Sequence, residues 1–300
     1  MENESDHTAL GGQLVNDMTN EKLILSAFAD EAGATLAEQI AALGENNIPY
    51  IELRGVNGKN ISDHTPQEAA AVAEELKANG ISVYSIGSPI GKVKLHQPFE
   101  KELARFENTL AIAKATGAKC IRLFSFFEWD SLGEAAEEEV IRRLSAFCTL
   151  AKDSGITLCH ENEKGIFGDT AERCRLLLDR VPDLAAVFDP ANFIQCGVAT
   201  LPAWEKLKDR VHYLHIKDAL SDGKVVPAGY GEGNVRAIVS DFISRGGKVA
   251  TLEPHLHAFT GLSSLSGEDA DRILNNRRFA TNREAFDFAV KAFRELIDTI

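Results

Sequence analysis

The sequence predicts a single parallel (β/α)8 TIM barrel, on three observations. Eight short apolar runs alternate with amphipathic segments, the order expected of β-then-α units. The runs are rich in Ile, Val, Leu and Phe and mostly unalternated, as strands buried on both faces are. No G-x-G-x-x-G follows the first run, which removes the main signal for an open, doubly wound sheet.

The candidate strands are residues 23–28, 49–53, 81–86, 119–124, 156–161, 184–189, 211–216 and 248–253. Helical spacing is clearest over 99–116, where Leu103, Phe106, Leu110 and Ala113 share a stripe and Gly117 supplies the stop. The segment 66–79 opens on Pro66, suited to a first helical position, and runs through Asn79-Gly80 into a strand. Segment 134–154 is Glu-rich early, favourable at a helix N-terminus, and closes at Gly155. Residues 281–298 supply the eighth helix. Long loops fall at the strand carboxyl ends, at 87–98, 125–133, 162–169, 190–198, 217–233 and 254–280, which marks that rim as the substrate-facing one.

Residues 1–21 read as a disordered polar arm and 22–300 as the barrel domain. The arm has no apolar core, so no secretory signal is expected, and no run approaches the ~20 apolar residues of a membrane span. A net charge of −13 disfavours nucleic acid as a partner. The five cysteines, Cys120, Cys148, Cys159, Cys174 and Cys196, are odd in number and lack a C-x-x-C. Buried thiols in a reducing, cytoplasmic compartment fit that pattern better than a disulfide framework.

Four side chains stand out. Glu161, Asp189, His215 and Glu253 each end one of the last four strand-like runs. Singly, each has a bland reading as a loop residue, a cap or a satisfied histidine. Adjacent parallel strands lie roughly 4.8 Å apart, so four successive strand ends around a barrel can aim at one point. Three hard oxygen donors and one imidazole suit one divalent ion: Mn2+, Mg2+ or Co2+, with Zn2+ also open, although structural zinc would want thiolates.

The segments CHENEKGIFGDT (159–170), VFDPANF (187–193), LHIKDA (214–219), GEGNV (231–235) and TLEPHL (251–256) resemble the xylose-isomerase-like superfamily of sugar phosphate isomerases and epimerases. FADE (28–31) and IELR (51–54) are similar too. The resemblance implies a divalent-metal-dependent isomerase or epimerase acting on a ketose, keto-sugar or cyclitol through an enediolate. It implies that Glu161 and Glu253 are both metal ligands and acid/base groups, exchanging a proton with the carbon beside the carbonyl. It also implies a possible homo-oligomer.

Two departures matter. Ketose 3-epimerases place a histidine three residues after the aspartate ligand, where this chain has Asn192, and an arginine shortly after the histidine strand, where it has Lys217. His215 to Asp218, HIKD, resembles inosose-dehydratase-like members more, so a dehydratase or lyase, including a keto-glycoside eliminase, is the alternative. An apurinic-site endonuclease shares the fold, but Asn192 and the acidic charge oppose it. A non-catalytic sugar-binding barrel is disfavoured by the intact ligand set.

Asn192, Lys217, His255 and Glu52 are the expected substrate-binding residues. Lys217 could instead pair with Asp218, and Glu52 with Arg54. The glycine-rich 227–233 could hold a phosphate or simply turn. Phe124, Phe126, Phe127 and Trp129 could wall a sugar or pack a loop. Strand alternation aims His160 and His212 away from the metal, His257 has a weaker claim than the ligands, and His96 reads as a loop residue.

Overall fold

The computed structural model describes residues 23–259 and 279–300. The expected arm, 1–21, and most of the expected loop 254–280 lie outside the described residues. Eight parallel strands close a barrel: β1 (Ile24–Ala27), β2 (Tyr50–Leu53), β3 (Ser82–Gly87), β4 (Cys120–Leu123), β5 (Thr157–Glu161), β6 (Leu184–Phe188), β7 (Val211–Ile216) and β8 (Val249–Leu252). Each pairs with its sequence neighbours, and β8 closes on β1 through Ile24↔Val249 to Ala27↔Leu252. The expected strands and the observed ones agree to within about a residue at most ends.

The outer layer is α1 (Leu36–Glu45), α2 (Pro66–Ala78), α3 (Phe99–Thr116), α4 (Ala136–Ala151), α5 (Ala171–Arg180), α6 (Pro190–Gln195), α7 (Thr200–Leu207), α8 (Val235–Ser244) and α9 (Asn282–Ile297). Local chemistry starts them: Thr35 and Thr65 form capping boxes with Glu38 and Glu68, and Thr170 and Thr281 cap α5 and α9. Gly117 ends α3 in the left-handed region at φ 72°. The helix expected over 134–154 is shorter, because a 3-10 stretch at Trp129–Ala135 precedes it and Lys152 leaves helical geometry.

Two segments differ from expectation in kind. Residues 190–198, expected as loop, contain α6, because Pro190 favours a first helical position and the Asp189 carboxylate caps it by accepting from Asn192 N at 3.0 Å. The loop after β2, not expected to be long, carries a small ribbon of Gly55–Val56 against Lys59–Asn60.

The main core lies between strands and helices, with Phe106, Phe147, Phe188, Trp204, Phe242 and Phe293 among its larger members. A second, smaller core fills the barrel itself: Ile24, Cys120, Cys159, Val187, Tyr213 and Val249. At the opposite rim from this plug lies the long 217–233 segment. It starts as a ribbon, Asp218–Ala219 against Val225–Val226, and then folds around one carboxylate. Asp218 accepts from the backbone N–H groups of Ala219, Gly229, Gly231 and Gly233 at 2.8–3.0 Å. A Cβ on Gly231 would stand 2.4 Å from both Ala219 O and Asp218 Oδ1, so only glycine lets the loop wrap this closely.

Removing the Asp218 carboxylate therefore strands several amides at once. Asp218→Ala is expected to cost about 1–3 kcal/mol in urea unfolding, the usual penalty for leaving buried donors unpaired, and to create a new protease-sensitive site within 227–233, detectable by limited proteolysis.

Candidate metal centre

A two-residue side-chain period decides which groups meet inside the barrel. Counting two on from the plug residues Cys159, Val187 and Tyr213 reaches Glu161, Asp189 and His215; four on from Val249 reaches Glu253. One ligand atom from each of Glu161, Asp189, His215 and Glu253 lies within 4.8 Å of the others. All four residues are buried, with at most 3% exposure. Atoms bound to one divalent ion stand about 3–4.5 Å apart at ordinary bond lengths, so the set can hold a metal ion.

The surroundings orient each member. His215 Nε2 lies 3.1 Å from Glu52 Oε2, and Glu52 in turn accepts from Tyr213 Oη at 2.9 Å. His215 Nδ1 faces the cluster, 3.0 Å from Glu161 Oε1 and 3.6 Å from Glu253 Oε2. A carboxylate behind a histidine fixes the ring's orientation, and here it leaves Nδ1 turned to the cluster, where it would be available to an ion. Arg122 donates to Glu161 at 2.9 Å, and Arg54 donates to Glu253 at 3.0 Å while also gripping Asp30 and Glu31. The two guanidiniums lie over the Phe28 ring, at 4.2 Å for Arg54 and 5.2 Å for Arg122, and the Phe28 ring meets His215 edge-on. Gly87 permits this, since a Cβ there would stand 2.5 Å from the Phe28 ring.

Two features fit a cation. Asp189 uses Oδ1 to cap α6, and its buried Oδ2 has no hydrogen-bond donor; Lys217 Nζ lies 3.0 Å from it, a charge contact without hydrogen-bond geometry. The second is charge. Six buried carboxylates, those of Asp30, Glu31, Glu52, Glu161, Asp189 and Glu253, face three fixed cations, Arg54, Arg122 and Lys217, which leaves three negative charges to be met by protons or a metal.

The titration behaviour follows. Burial opposes the Glu161 charge, but His215 and Arg122 hold it at about 2. Burial likewise opposes Glu253, and Lys217 leads the charges that keep it well below the carboxylate range. At Asp189 burial wins over Lys217 and raises it to about 7; at Glu31 burial wins over Arg54 and raises it to about 8. Burial disfavours the His215 cation, yet Glu161 and Glu52 raise it well above its usual value.

Each expected site residue has a definite place. Asn192 joins the cluster, donating to Glu161 Oε1 at 3.2 Å and to Asn162 O at 2.9 Å. Lys217 bridges Asp189 and Glu253, both at 3.0 Å, rather than pairing with Asp218. His255 lies 3.4 Å from both Glu31 and Glu253, in the left-handed region at φ 45°, which is uncommon for a non-glycine residue. Glu52 sits behind the imidazole rather than beside an open face, and Arg54 pairs with Asp30, Glu31 and Glu253. His160 points out of the barrel to Ser125 Oγ at 2.9 Å, as alternation expects. The glycine amides of 227–233 are occupied by Asp218, so this loop is built around an internal anion rather than a phosphate. Phe126 packs in the core near Phe147, and Phe124 lies under Arg122 and Lys92. Sequence reasoning missed Arg122. The signal was present, because a charge inside the apolar run Cys120–Phe124 demands a buried partner.

The chain belongs to the xylose isomerase-like TIM barrel family, whose model matches residues 37–257. No curated protein matches it by sequence. Among solved structures, it resembles the probable 3-DHS dehydratase AsbF of Bacillus anthracis, with TM-score 0.68, 18% identity and coverage of 91% of this chain and 99% of that one. D-psicose 3-epimerase of Clostridium cellulolyticum H10 matches with TM-score 0.69 and 13% identity over 92% and 99% of the two chains. The IolI protein, crystallised with a binding zinc atom, matches with TM-score 0.66 and 16% identity over 92% and 99%. At these identities the likeness shows the fold. Among the described residues no helix is long and apolar enough to cross a membrane.

The shifts of Glu31, Asp189 and His215 share a sign. Each binds its proton more tightly in the folded chain, so between pH 6.5 and 8.5 the folded state holds more protons than the unfolded one, and stability falls as pH rises. The melting temperature of EDTA-treated protein is expected to fall across that window, and saturating Mn2+ to flatten the fall. Thermal unfolding at several pH values, with and without metal, measures it.

Proposed function

We propose that this chain is a metal-dependent sugar isomerase or epimerase that moves a proton beside the carbonyl of a ketose, keto-sugar or cyclitol. The observation that carries the reading is the buried convergence of Glu161, Asp189, His215 and Glu253 at four consecutive strand ends. When bound, one divalent ion, Mn2+, Mg2+ or Co2+ with Zn2+ also compatible, supplies Lewis-acid polarisation of the carbonyl and offsets the enediolate charge. Glu161 and Glu253 stand on β5 and just past β8, with β6 and β7 between them, so they approach a bound substrate from different sides. Both are held ionised by cations at their backs, Arg122 behind Glu161 and Arg54 behind Glu253. Over a turnover one carboxylate takes the C–H proton and ends protonated, while the other, having first taken a proton from water, returns it to the opposite face of the enediolate and ends ionised. The epimerase among the structural neighbours supports this reading.

A second reading, elimination of a β-hydroxyl or alkoxyl group, is favoured by Lys217. Its ammonium lies against Asp189 and Glu253 on the cluster itself, where it can protonate a leaving oxygen after the same C–H proton is lost. A neighbour described as a probable dehydratase supports it. Nuclease chemistry fits least: Asn192 cannot take the place of a ligating histidine, and net charge opposes DNA.

The substrate we infer is uncharged. Arg54, Arg122 and Lys217 are each already matched to carboxylates, and the glycine loop that could have taken a phosphate is filled by Asp218. Polyhydroxylated carbonyl compounds without a phosphate suit such a site.

The test is a panel of ketoses, inososes and 3-keto-glycosides in D2O, with Mn2+ returned to chelated enzyme and the products followed by NMR. Deuterium is expected at a carbon-bound position, and Glu253→Gln is expected to lower its entry by about 100-fold or more. Full exchange in that variant removes Glu253 from the mechanism. For the elimination reading, Lys217→Met is expected to stop enone formation, followed by absorbance, while deuterium exchange continues.

A further inference from the structure

The barrel interior below the carboxylate cluster carries a softer set of donors. Cys120 opens β4, Cys159 lies two residues before Glu161 on β5, and His212 is the second residue of β7. One donor atom from each lies within 4.8 Å of the others. Both thiols are fully buried in the barrel plug, whereas His212 is exposed.

Strand alternation alone does not explain the place of His212. Tyr213 and His215 both reach Glu52 inside the barrel, so a regular pleat would turn His212 outward. The β6–β7 register slips here: Ala186 pairs with Val211 and Val187 with Tyr213, which leaves His212 as the extra residue of a bulge. Bulges re-aim side chains, and this one brings an imidazole to two sulfurs.

A disulfide does not suit the pair. Cys120 is in register with Thr157 and Cys159 with Arg122, two residues apart along neighbouring strands. Strand spacing and rise put their Cα atoms roughly 8 Å apart, beyond the usual disulfide span. Cys120 Sγ donates to Tyr84 O at 3.8 Å, and the two sulfurs and a His212 ring nitrogen lie within 4.8 Å of one another, a spacing that three ligands of one ion can adopt.

We propose that Cys120, Cys159 and His212 form a second metal site, selective for a thiophilic cation such as Zn2+, distinct in position and in chemistry from the oxygen-rich site above it. Charge supports this. A lone thiolate in the fully buried plug would be uncompensated. Two thiolates around one divalent cation form a neutral unit, so burial no longer penalises ionisation, and both protons leave as the metal enters. The exposed His212 ring marks the side from which an ion arrives and on which water completes the coordination. Ligand softness then sorts ions between the two ends of the barrel interior: oxygen donors for hard cations, sulfur donors for soft ones.

The experiment is Co2+ titration of the EDTA-stripped, full-length protein under reducing conditions, read as a thiolate-to-cobalt charge-transfer band, which oxygen ligands do not produce. The band is expected in the wild type and in Glu253→Gln, which disables the upper cluster only. It is expected to vanish in Cys159→Ala. In His212→Ala, a surface change that leaves the plug intact, the affinity read from the band is expected to drop at least tenfold. Absence of the band in the wild type overturns the proposal, as does a band with unchanged affinity in His212→Ala or one that persists in Cys159→Ala.

Discussion

Six carboxylates buried together at one end of the barrel impose the constraint on which its upper half depends. Charge of one sign cannot be concentrated in a low-dielectric interior unless something answers it. Arg54, Arg122 and Lys217 answer half. Their own positions are in turn fixed by what they answer: Arg54 is threaded among Asp30, Glu31 and Glu253, and laid on Phe28. The remaining imbalance suits the cluster to a cation, and burial is what raises the Asp189 and Glu31 carboxyls above the usual carboxylate range.

The geometry that builds the cluster is simple. Parallel strands expose a residue to the barrel interior every second position, so one inward residue in the plug predicts the next above it. Cys159 leads to Glu161, Val187 to Asp189 and Tyr213 to His215. The plug thus does two things. It fills the barrel below the rim, and it sets the height at which Glu161, Asp189, His215 and Glu253 emerge together. The Glu52–Tyr213 contact couples the two levels, because the residue that packs the plug also steadies the carboxylate behind His215.

Much of this was legible in the sequence. The eight strands, and the convergence of Glu161, Asp189, His215 and Glu253, follow from apolar runs that each end on a polar side chain, and short-range chemistry such as Pro66 and Gly117 marked helix ends correctly. What stayed hidden depends on partners far apart in the chain. Nothing local tells Lys217 to choose Asp189 and Glu253 over its neighbour Asp218, or tells Asp218 to collect amides from residues 229–233. Arg122 betrayed itself only as a charge in an apolar run, and its partner was fixed by the register of β4 and β5. The extra residue on β7 left no mark in the apolar pattern, because a single-residue slip between strands is a property of the pair and not of either strand alone.

The loop that wraps Asp218 carries its own counter-ion. A tethered anion is present at an effective concentration that no medium can dilute, of millimolar order or above for a short tether. The shape of this part of the rim is therefore independent of which small anions surround the protein. A loop of the same glycine spacing but without the aspartate would be sculpted by whatever its solvent offered; here the covalent chain has made that choice in advance.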